Sequence, residues 1–524
     1  MKLVAKSAQR IVGIKLSGEI FACRKLHIRD YAKFANWRRW IGLSEDDKTL
    51  CRRDALAQRA GRSRSTSRPV RIAHDWLING GRKYSVATRA RRSHWLNHRI
   101  WRLRLAEWIS VTLFFLGIIL IFCLFVIRRH SLPYHFEHTF AVSDPEFIGS
   151  ALALGDPVLV GGNKIDIFQN GDAYFPEMLK AIHAAQKTIN FESFILYSDS
   201  VGRQFRDALS ERARAGVEVR ILVDGIGSGW SLKNSDVKMM QQAGCKFSYY
   251  HPTHSWRVDR TNRRSHRRIL VVDGKMGFTG SVGFSEKWSG HAQDKDHWRD
   301  MQARLEGPIV GKLQAAFQEH WVKTYGEVLT GADQFPALKP AGELKAQIIT
   351  SRSFSMAPVP LLQAVAFTAA SKRIWITNAY CTPTSDQVEQ LLKAVERHVD
   401  VRLLLPGPNN DQPLTKSAGR TAYGKMLEGG VKIFEYQPTM MHEKSMVIDG
   451  LFSMFGSSNF DARSSEINEE LDVVIYDSNF ARELESVFED DLTRAKEYTL
   501  EDFKKRTLWE RVSEWLVVPF KSQF

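Results

Sequence analysis

A cassette that occurs twice at one fixed offset constrains this chain more than any other feature. The downstream copy runs from His442 through Lys444 and Asp449 to the turn Gly456-Ser457-Ser458-Asn459. The upstream copy runs from His266 through Arg268 and Asp273 to Gly280-Ser281-Val282-Gly283. Subtracting 266 from 442, 268 from 444, 273 from 449, 280 from 456 and 283 from 459 gives 176 each time, so the copies align without a gap. On a strand, period-two spacing puts the imidazole and the cation of each copy on one face. A neutral imidazole beside a fixed cation is equipment for attack on a phosphodiester.

The repeat extends upstream of the cassettes. Apolar runs beginning at Lys187 and Val217 before the first copy have counterparts at Lys372 and Val399 before the second. Each half therefore reads helix, strand, helix, strand, helix, strand, cassette. This predicts an α/β fold of two pseudo-symmetric lobes, each a mixed sheet flanked by helices. The lobes are expected at 151–335 and 340–500, with the junction between Gly331 and Glu343, where glycines and prolines break any periodicity. Two half-sites should then meet at one pseudo-two-fold interface.

The paired cassettes, each with a downstream glycine-serine turn, resemble those of the phospholipase D superfamily. The run from Gly456 through Asp461, Arg463, Asn468 and Glu470, with that from Gly290 through His297 and Trp298 to Asp300, is similar to its bacterial cardiolipin synthase branch. The resemblance covers roughly Pro157 to the C-terminus. It implies phosphatidyl transfer through a phosphohistidine, with His266 as nucleophile and His442 as proton donor. Arg268 and Lys444 would carry the charge on the phosphoryl oxygens, helped by Asn459 and the hydroxyls of Ser281 and Ser457. Asp300 and Glu470, 34 and 28 residues after the first and second histidine, are the expected tautomer-fixing carboxylates of their respective imidazoles. Asp273 and Asp449 complete the catalytic signature, although a position at a strand end before glycine favours bonds to backbone. No metal or other cofactor is implied, because the cations are side chains. The first cassette departs from the pattern twice. Arg268 replaces the usual lysine, keeping the charge and adding a bidentate fork, and Gly283 stands where the second copy has an amide.

Charge distribution bears on the substrate. The formal net charge is +16, but residues 1–105 hold 26 Lys and Arg against 7 Asp and Glu, leaving 16−19, or −3, for the remainder. Near-neutral lobes argue against a nuclease that tracks a polyanion. The basic tail suits an anionic membrane surface, or is a solvated extension with a disordered Arg/Ser run from Arg59 to Arg71. Cys23, Cys51, Cys123, Cys245 and Cys381 show neither disulfide nor zinc spacing.

Trp108 to Ile127 is 20 residues without a charge, the length of one membrane-spanning helix. Six arginines precede it within 20 residues and two follow, which places the tail in the cytoplasm and the lobes across the membrane, periplasmic in a bacterium. The inner membrane is the expected location, with residues 130–150 as a tether. The loop from Asp224 to Trp230 is expected to turn rather than to bind phosphate. His251, His254 and Trp256 should lie near the site mouth. The closing segment 501–524 is amphipathic and could face either the bilayer or its own lobe. The expected reaction makes cardiolipin from phosphatidylglycerol and a second phospholipid, with phosphatidylethanolamine a possible donor. Hydrolysis to phosphatidic acid, a membrane-tethered nuclease and a non-catalytic lipid scaffold are the alternatives.

Overall fold

The computed structural model describes residues 107–119, 140–154, 158–252, 262–351 and 358–523. The basic tail to residue 105 with its Arg/Ser run, residues 120–127 of the expected span, residues 130–139 of the expected tether, His254, Trp256, and the cysteines 23, 51 and 123 lie outside them. Residues 107–119 are helical, and no helix among the described residues is long and apolar enough to cross a membrane. Leu113–Phe524 falls within one compact unit. The two repeats are therefore halves of a single body.

Helix α1 (Pro145–Ala153) precedes a first half of β1 (Val160–Gln169), α2 (Gly171–Ala184), β2 (Thr188–Ser193), α3 (Ser200–Arg214), β3 (Glu218–Asp224), α4 (Asn234–Gln242), β4 (Lys246–Tyr250), β5 (Ile269–Val272), β6 (Met276–Gly280), β7 (Met301–Glu306) and α5 (Ile309–Tyr325). The second half comprises β8 (Leu344–Thr350), α6 (Pro358–Ala369), β9 (Arg373–Thr377), β10 (Cys381–Thr382), α7 (Ser385–Glu396), β11 (Asp400–Pro406), α8 (Pro413–Glu428), β12 (Lys432–Tyr436), β13 (Ser445–Ile448), β14 (Phe452–Gly456), β15 (Phe460–Asp461), α9 (Ala462–Glu466), β16 (Leu471–Tyr476) and α10 (Ser478–Leu492). Strand β17 (Ala495–Tyr498), α11 (Leu500–Lys504), α12 (Leu508–Val517) and a 3-10 turn (Val518–Gln523) close the chain.

Fifteen strands make one mixed sheet in the order β17-β12-β11-β9-β13-β14-β16-β8-β1-β7-β6-β5-β2-β3-β4. The antiparallel β1/β8 pair joins the halves. Outward from it, β7-β6-β5-β2-β3-β4 on one side mirrors β16-β14-β13-β9-β11-β12 on the other. Within each half the outer three strands are parallel and the cassette strand runs antiparallel to its neighbours. Every residue of β2 and β5 is buried; β5 is the continuous apolar run expected of a strand covered on both faces, whereas β2 alternates and buries Asn190 and Glu192. Leu222, Val271, Leu305, Phe317, Ile348, Phe455 and Val473 form one apolar cluster drawn from both halves, so packing as well as backbone pairing unites them.

The tether is shorter than expected. Val142, Phe147 and Ala151 are buried, and the Phe147 ring packs edge-on to Phe452 and Tyr476 at 5.8 and 6.1 Å. Helix α1 thus belongs to the core of the second half. The cassettes also sit differently from expectation: β5 and β13 begin at the residue after Arg268 and Lys444, so the histidines precede their strands. Antiparallel pairing of β5 on β2 and of β13 on β9 places those preceding segments at the C-terminal ends of the parallel strands. Ligand sites of open α/β sheets lie at that edge.

Candidate active site

The segment ahead of the first histidine is pinned by Asp224 at the end of β3. Its carboxylate accepts from the backbone N–H groups of Ile226, Gly227 and Ser265 at 2.8, 3.0 and 3.0 Å. The glycine-rich loop is thus folded onto a carboxylate of its own. A Cβ at Gly227 would lie 2.3 Å from the Phe194 carbonyl oxygen, which is why glycine stands there.

Two short parallel bridges stitch the halves beside the imidazoles. His266 N–H donates to the Glu469 carbonyl at 2.9 Å, and Glu469 N–H to that of Arg264 at 2.9 Å. His442 N–H donates to the Arg299 carbonyl at 2.8 Å, and Arg299 N–H to that of Met440 at 2.9 Å. The residue after each bridging partner is a carboxylate, and it faces the histidine of the other half. His266 Nδ1 lies 2.9 Å from Glu470 Oε2, and His442 Nδ1 lies 2.7 Å from Asp300 Oδ2. Each imidazole therefore takes its carboxylate from the opposite half, which corrects the expectation that Asp300 serves His266 and Glu470 serves His442.

The cations complete a closed arrangement. Arg268 Nη2 donates to His266 Nε2 at 2.9 Å. With Nδ1–H directed to Glu470, the Nε2 lone pair is the one presented to the site. Lys444 Nζ lies 3.3 Å from His442 Nε2 and donates to the His442 carbonyl at 2.7 Å. His266, Arg268, His442, Lys444, Asp300 and Glu470 are all buried. Burial, then Arg268, pushes the His266 imidazole down to about 4 against the pull of Glu470, with Lys444 of the other half adding to the depression. Burial, then Lys444, pushes His442 down to about 3 against Asp300, again with a contribution from Arg268 across the seam. Burial lowers Lys444 to about 7 and Arg268 to about 10. Although burial disfavours its charge, His442, Lys444 and Ser281 hold Asp300 at about 2.

In the free site the Arg268 cation faces two carboxylates, burial weakens the hold of Lys444 on its proton, and both imidazoles are driven toward the neutral form. A phosphodiester monoanion entering between Arg268 and Lys444 offsets their repulsion and favours a proton on one imidazole. One ring then remains a nucleophile while the other becomes an acid.

The supporting residues divide. Ser457 Oγ donates to Glu470 Oε2 at 2.6 Å, and Ser281 Oγ donates to Asp300 Oδ1. The serine protons are thus committed to the carboxylates, which corrects their expected place on the phosphoryl oxygens. Among the described residues the side-chain oxygen of Asn459, an acceptor, is buried without a partner. Asp273 and Asp449 lie at the far ends of β5 and β13. Asp273 accepts from the N–H groups of Gln186, Lys187 and Thr188, and Asp449 from those of Ser371, Lys372 and Arg373. Their place in the catalytic set is corrected: they fasten the turn to the sheet from a strand's length away, with φ of 52° and 54° ahead of a glycine.

Four contributors escaped sequence reasoning. A Cβ at Gly283 would lie 2.8 Å from Trp288 Cη2, so the indole fills the space beside the position matching Asn459. Trp288 is buried, and its Nε1–H donates to Asp300 Oδ2 at 2.7 Å, the oxygen that also meets His442. Gly283 and Trp288 are one feature: the amide is absent because a ring replaces it. Buried His320 on α5 spans the halves, with Nδ1 2.6 Å from Glu192 Oε1 and Nε2 2.5 Å from Glu469 Oε2. Arg299 Nη2 lies 2.9 Å from Asp491 Oδ2 on α10 and fixes the residue before Asp300. The Tyr380 ring stands 6.0 Å from that of His442, and its hydroxyl donates to Asp411 at 2.8 Å. Only the glycine at 283 signalled any of this in the sequence. Among the described residues no cluster of His, Cys, Asp and Glu is placed to hold a metal ion.

Comparison with known proteins agrees with this geometry. A family model described as "Cardiolipin synthase, PLD-like domain" matches residues 178–321 and 365–492. The chain is 33% identical to the probable cardiolipin synthase YwiE of Bacillus subtilis over 354 residues, 67% of this chain and 70% of that protein. It is 33% identical over 356 residues to cardiolipin synthase A of Pseudomonas fluorescens, 67% of this chain and 73% of that one. Phosphatidylserine synthase of Haemophilus influenzae superposes over 69% of this chain and 95% of its own with a TM-score of 0.54 and 13% identity, a likeness of fold.

Proposed function

The chain belongs to the family of phospholipase D-like cardiolipin synthases, and from that premise we propose the reaction in detail and the role of each residue. It is a phosphatidyltransferase acting on phospholipids. His266 Nε2 attacks phosphorus of the donor, the bond to the head-group oxygen breaks, and protonated His442 gives that oxygen its proton. The phosphatidyl group then rests on His266. An acceptor hydroxyl next attacks phosphorus, passes its proton to His442, and frees His266. Phosphatidylglycerol supplies the acceptor hydroxyl, and phosphatidylglycerol or phosphatidylethanolamine the donor.

The observation that carries this reading is the crossed pair of imidazole–carboxylate contacts flanked by Arg268 and Lys444. Two acid–base imidazoles and two cations are what a double displacement at phosphorus requires without a metal. The assignment of His266 rather than His442 as nucleophile rests on the family resemblance, since each imidazole turns Nε2 to a cation. Anchoring by residues 108–127 in a bacterial inner membrane, lobes on the periplasmic side, is supported by the uncharged run and the arginine asymmetry around it.

The first test supplies phosphatidylglycerol alone and then with phosphatidylethanolamine, resolving products by mass. Cardiolipin with glycerol or ethanolamine establishes the transferase and names the donor. Phosphatidic acid alone means that water is the acceptor. No lipid product, with His442→Ala indistinguishable from the parent, would overturn the reading in favour of a nucleic-acid substrate. Reporter fusions at the C-terminus that are active in the periplasm test the orientation, and activity only in the cytoplasm would reverse it.

A further inference from the structure

Helix α12 is built the wrong way round for a helix that ends a water-exposed body. Leu508, Trp509, Val512, Trp515 and Leu516 recur at the spacing of one helical stripe, and that stripe points outward: Leu508, Trp509 and Trp515 are 79%, 76% and 73% exposed. The residues turned inward are Glu514 and Val517. Glu514 pairs with Arg506, and Glu510 with Arg420 on α8 at 2.9 Å. The capping box of Thr507 and Glu510 and these two ion pairs tie the helix's polar side to the body, while among the described residues the apolar stripe meets nothing in the chain's own core.

What lies beside the stripe selects its partner. Lys504, Lys505 and Arg511 are exposed next to it, while both glutamates of α12 are bound on the other side. Two tryptophans and two leucines with cations at the margin are the composition of a helix lying in a phospholipid interface, where indoles sit at head-group level and lysines meet anionic phosphates. The site mouth shares the character. The loop after β3 and the first turn of α8 after β11 stand at the sheet edge where the histidines sit, and they carry Trp230, 86% exposed, and Leu414, 60% exposed. The turn following α12 is fastened to that edge: Arg463 Nη1 donates to the Gln523 carbonyl at 3.3 Å and to Asn262 Oδ1 at 3.1 Å, joining residues shortly before His266 and Glu470.

We propose that the outer face of α12, with Trp230 and Leu414, docks on the surface of an anionic phospholipid bilayer and holds the site mouth against it. The proposal rests on the reading of the substrate as phospholipid, and it is separate from any anchoring by residues 108–127. Docking brings the donor's head group to the histidines without lifting its acyl chains far into water.

The test uses the full chain reconstituted in vesicles of phosphatidylglycerol and phosphatidylcholine. Cys23, Cys51 and Cys123 are changed to serine, and a fluorophore is placed through Leu516→Cys or, as a remote control, Lys393→Cys on α7. Acyl chains brominated near the head group should quench the first probe and spare the second; no quenching at 516 overturns the proposal. Disulfide formation between two copies through Leu516→Cys, in place of quenching, overturns it in favour of a second protomer. Trp509→Ser/Trp515→Ser should lower turnover of vesicle substrate about tenfold or more, the effect of about 1.4 kcal/mol of lost docking, and leave turnover of a short-chain monomeric phospholipid unchanged. Equal loss on both substrates would make the tryptophans structural and overturn the proposal. If the parent turns over neither substrate, the reaction is misread, and quenching still decides the docking.

Discussion

At the scale of residues, the half-sites are equivalent in charge and unequal in how their carboxylates are held. Glu470 is held by Ser457 and by Asn468 Nδ2 at 3.3 Å, whereas Asp300 is held by Ser281 and the Trp288 indole. Trp288→Phe keeps the ring packing and deletes the donor. Its kcat should fall by about 10- to 100-fold, the usual cost of losing an orienting contact beside a reacting group, with KM little changed and the acid limb of the pH profile displaced upward, because Asp300 loses a bond that favours its charge. An unchanged profile would make the indole a space-filler. The crossed pairing predicts a sharper split. With a phosphatidyl donor whose leaving group needs no proton, Glu470→Gln should abolish labelling of His266, and Asp300→Asn should leave that labelling in place while blocking turnover with natural donors. Peptide mass mapping of the trapped phosphohistidine reads both outcomes, and the reverse pattern would restore pairing within each half or exchange the two histidines' roles.

Elements do their work here by what they carry across the seam. Helix α5 packs on the first half and delivers His320 between Glu192 of β2 and Glu469 of the second half. Burial and Arg267 oppose its charge, yet the two carboxylates prevail and raise its pKa above the ordinary value. A raised histidine stabilises the fold fully below its unfolded pKa of about 6.5 and loses that contribution as pH rises through the folded value. His320→Leu takes the imidazole from between two buried carboxylates, leaving Glu192 with the Ser265 hydroxyl and Glu469 with Lys323, so it should destabilise by about 3–5 kcal/mol and remove this histidine's share of the loss of stability at alkaline pH. Denaturant midpoints of both proteins at several pH values check it; parallel pH curves would mean that His320 is neutral. Glu443, inside the second cassette, is the opposite case: burial raises it to about 7 against the pull of Arg299.

The two repeat halves behave as one body because the sheet, the shared core and both imidazole–carboxylate contacts cross the repeat boundary. The connection between halves, by contrast, is exposed at Ala337 and Lys339. A protease site inserted there should be cleavable with the halves still co-eluting and active; separation after nicking would show that the covalent link carries the association. A chain read in order gives up its periods and repeats, because these are local and register along the backbone. The offset of 176 thus announced two similar α/β halves and the chemical identity of His266, Arg268, His442 and Lys444. The family resemblance added Asp300 and Glu470 to the actors, but each was assigned to the nearer histidine, since sequence distance was the only distance available. The exchange of carboxylates, the commitment of Ser281 and Ser457 to them, and the replacement of an amide by Trp288 were decided by tertiary structure alone. A pseudo-two-fold axis brings residues together by symmetry rather than by proximity in the chain, and no period in one dimension records which side of that axis a side chain will face.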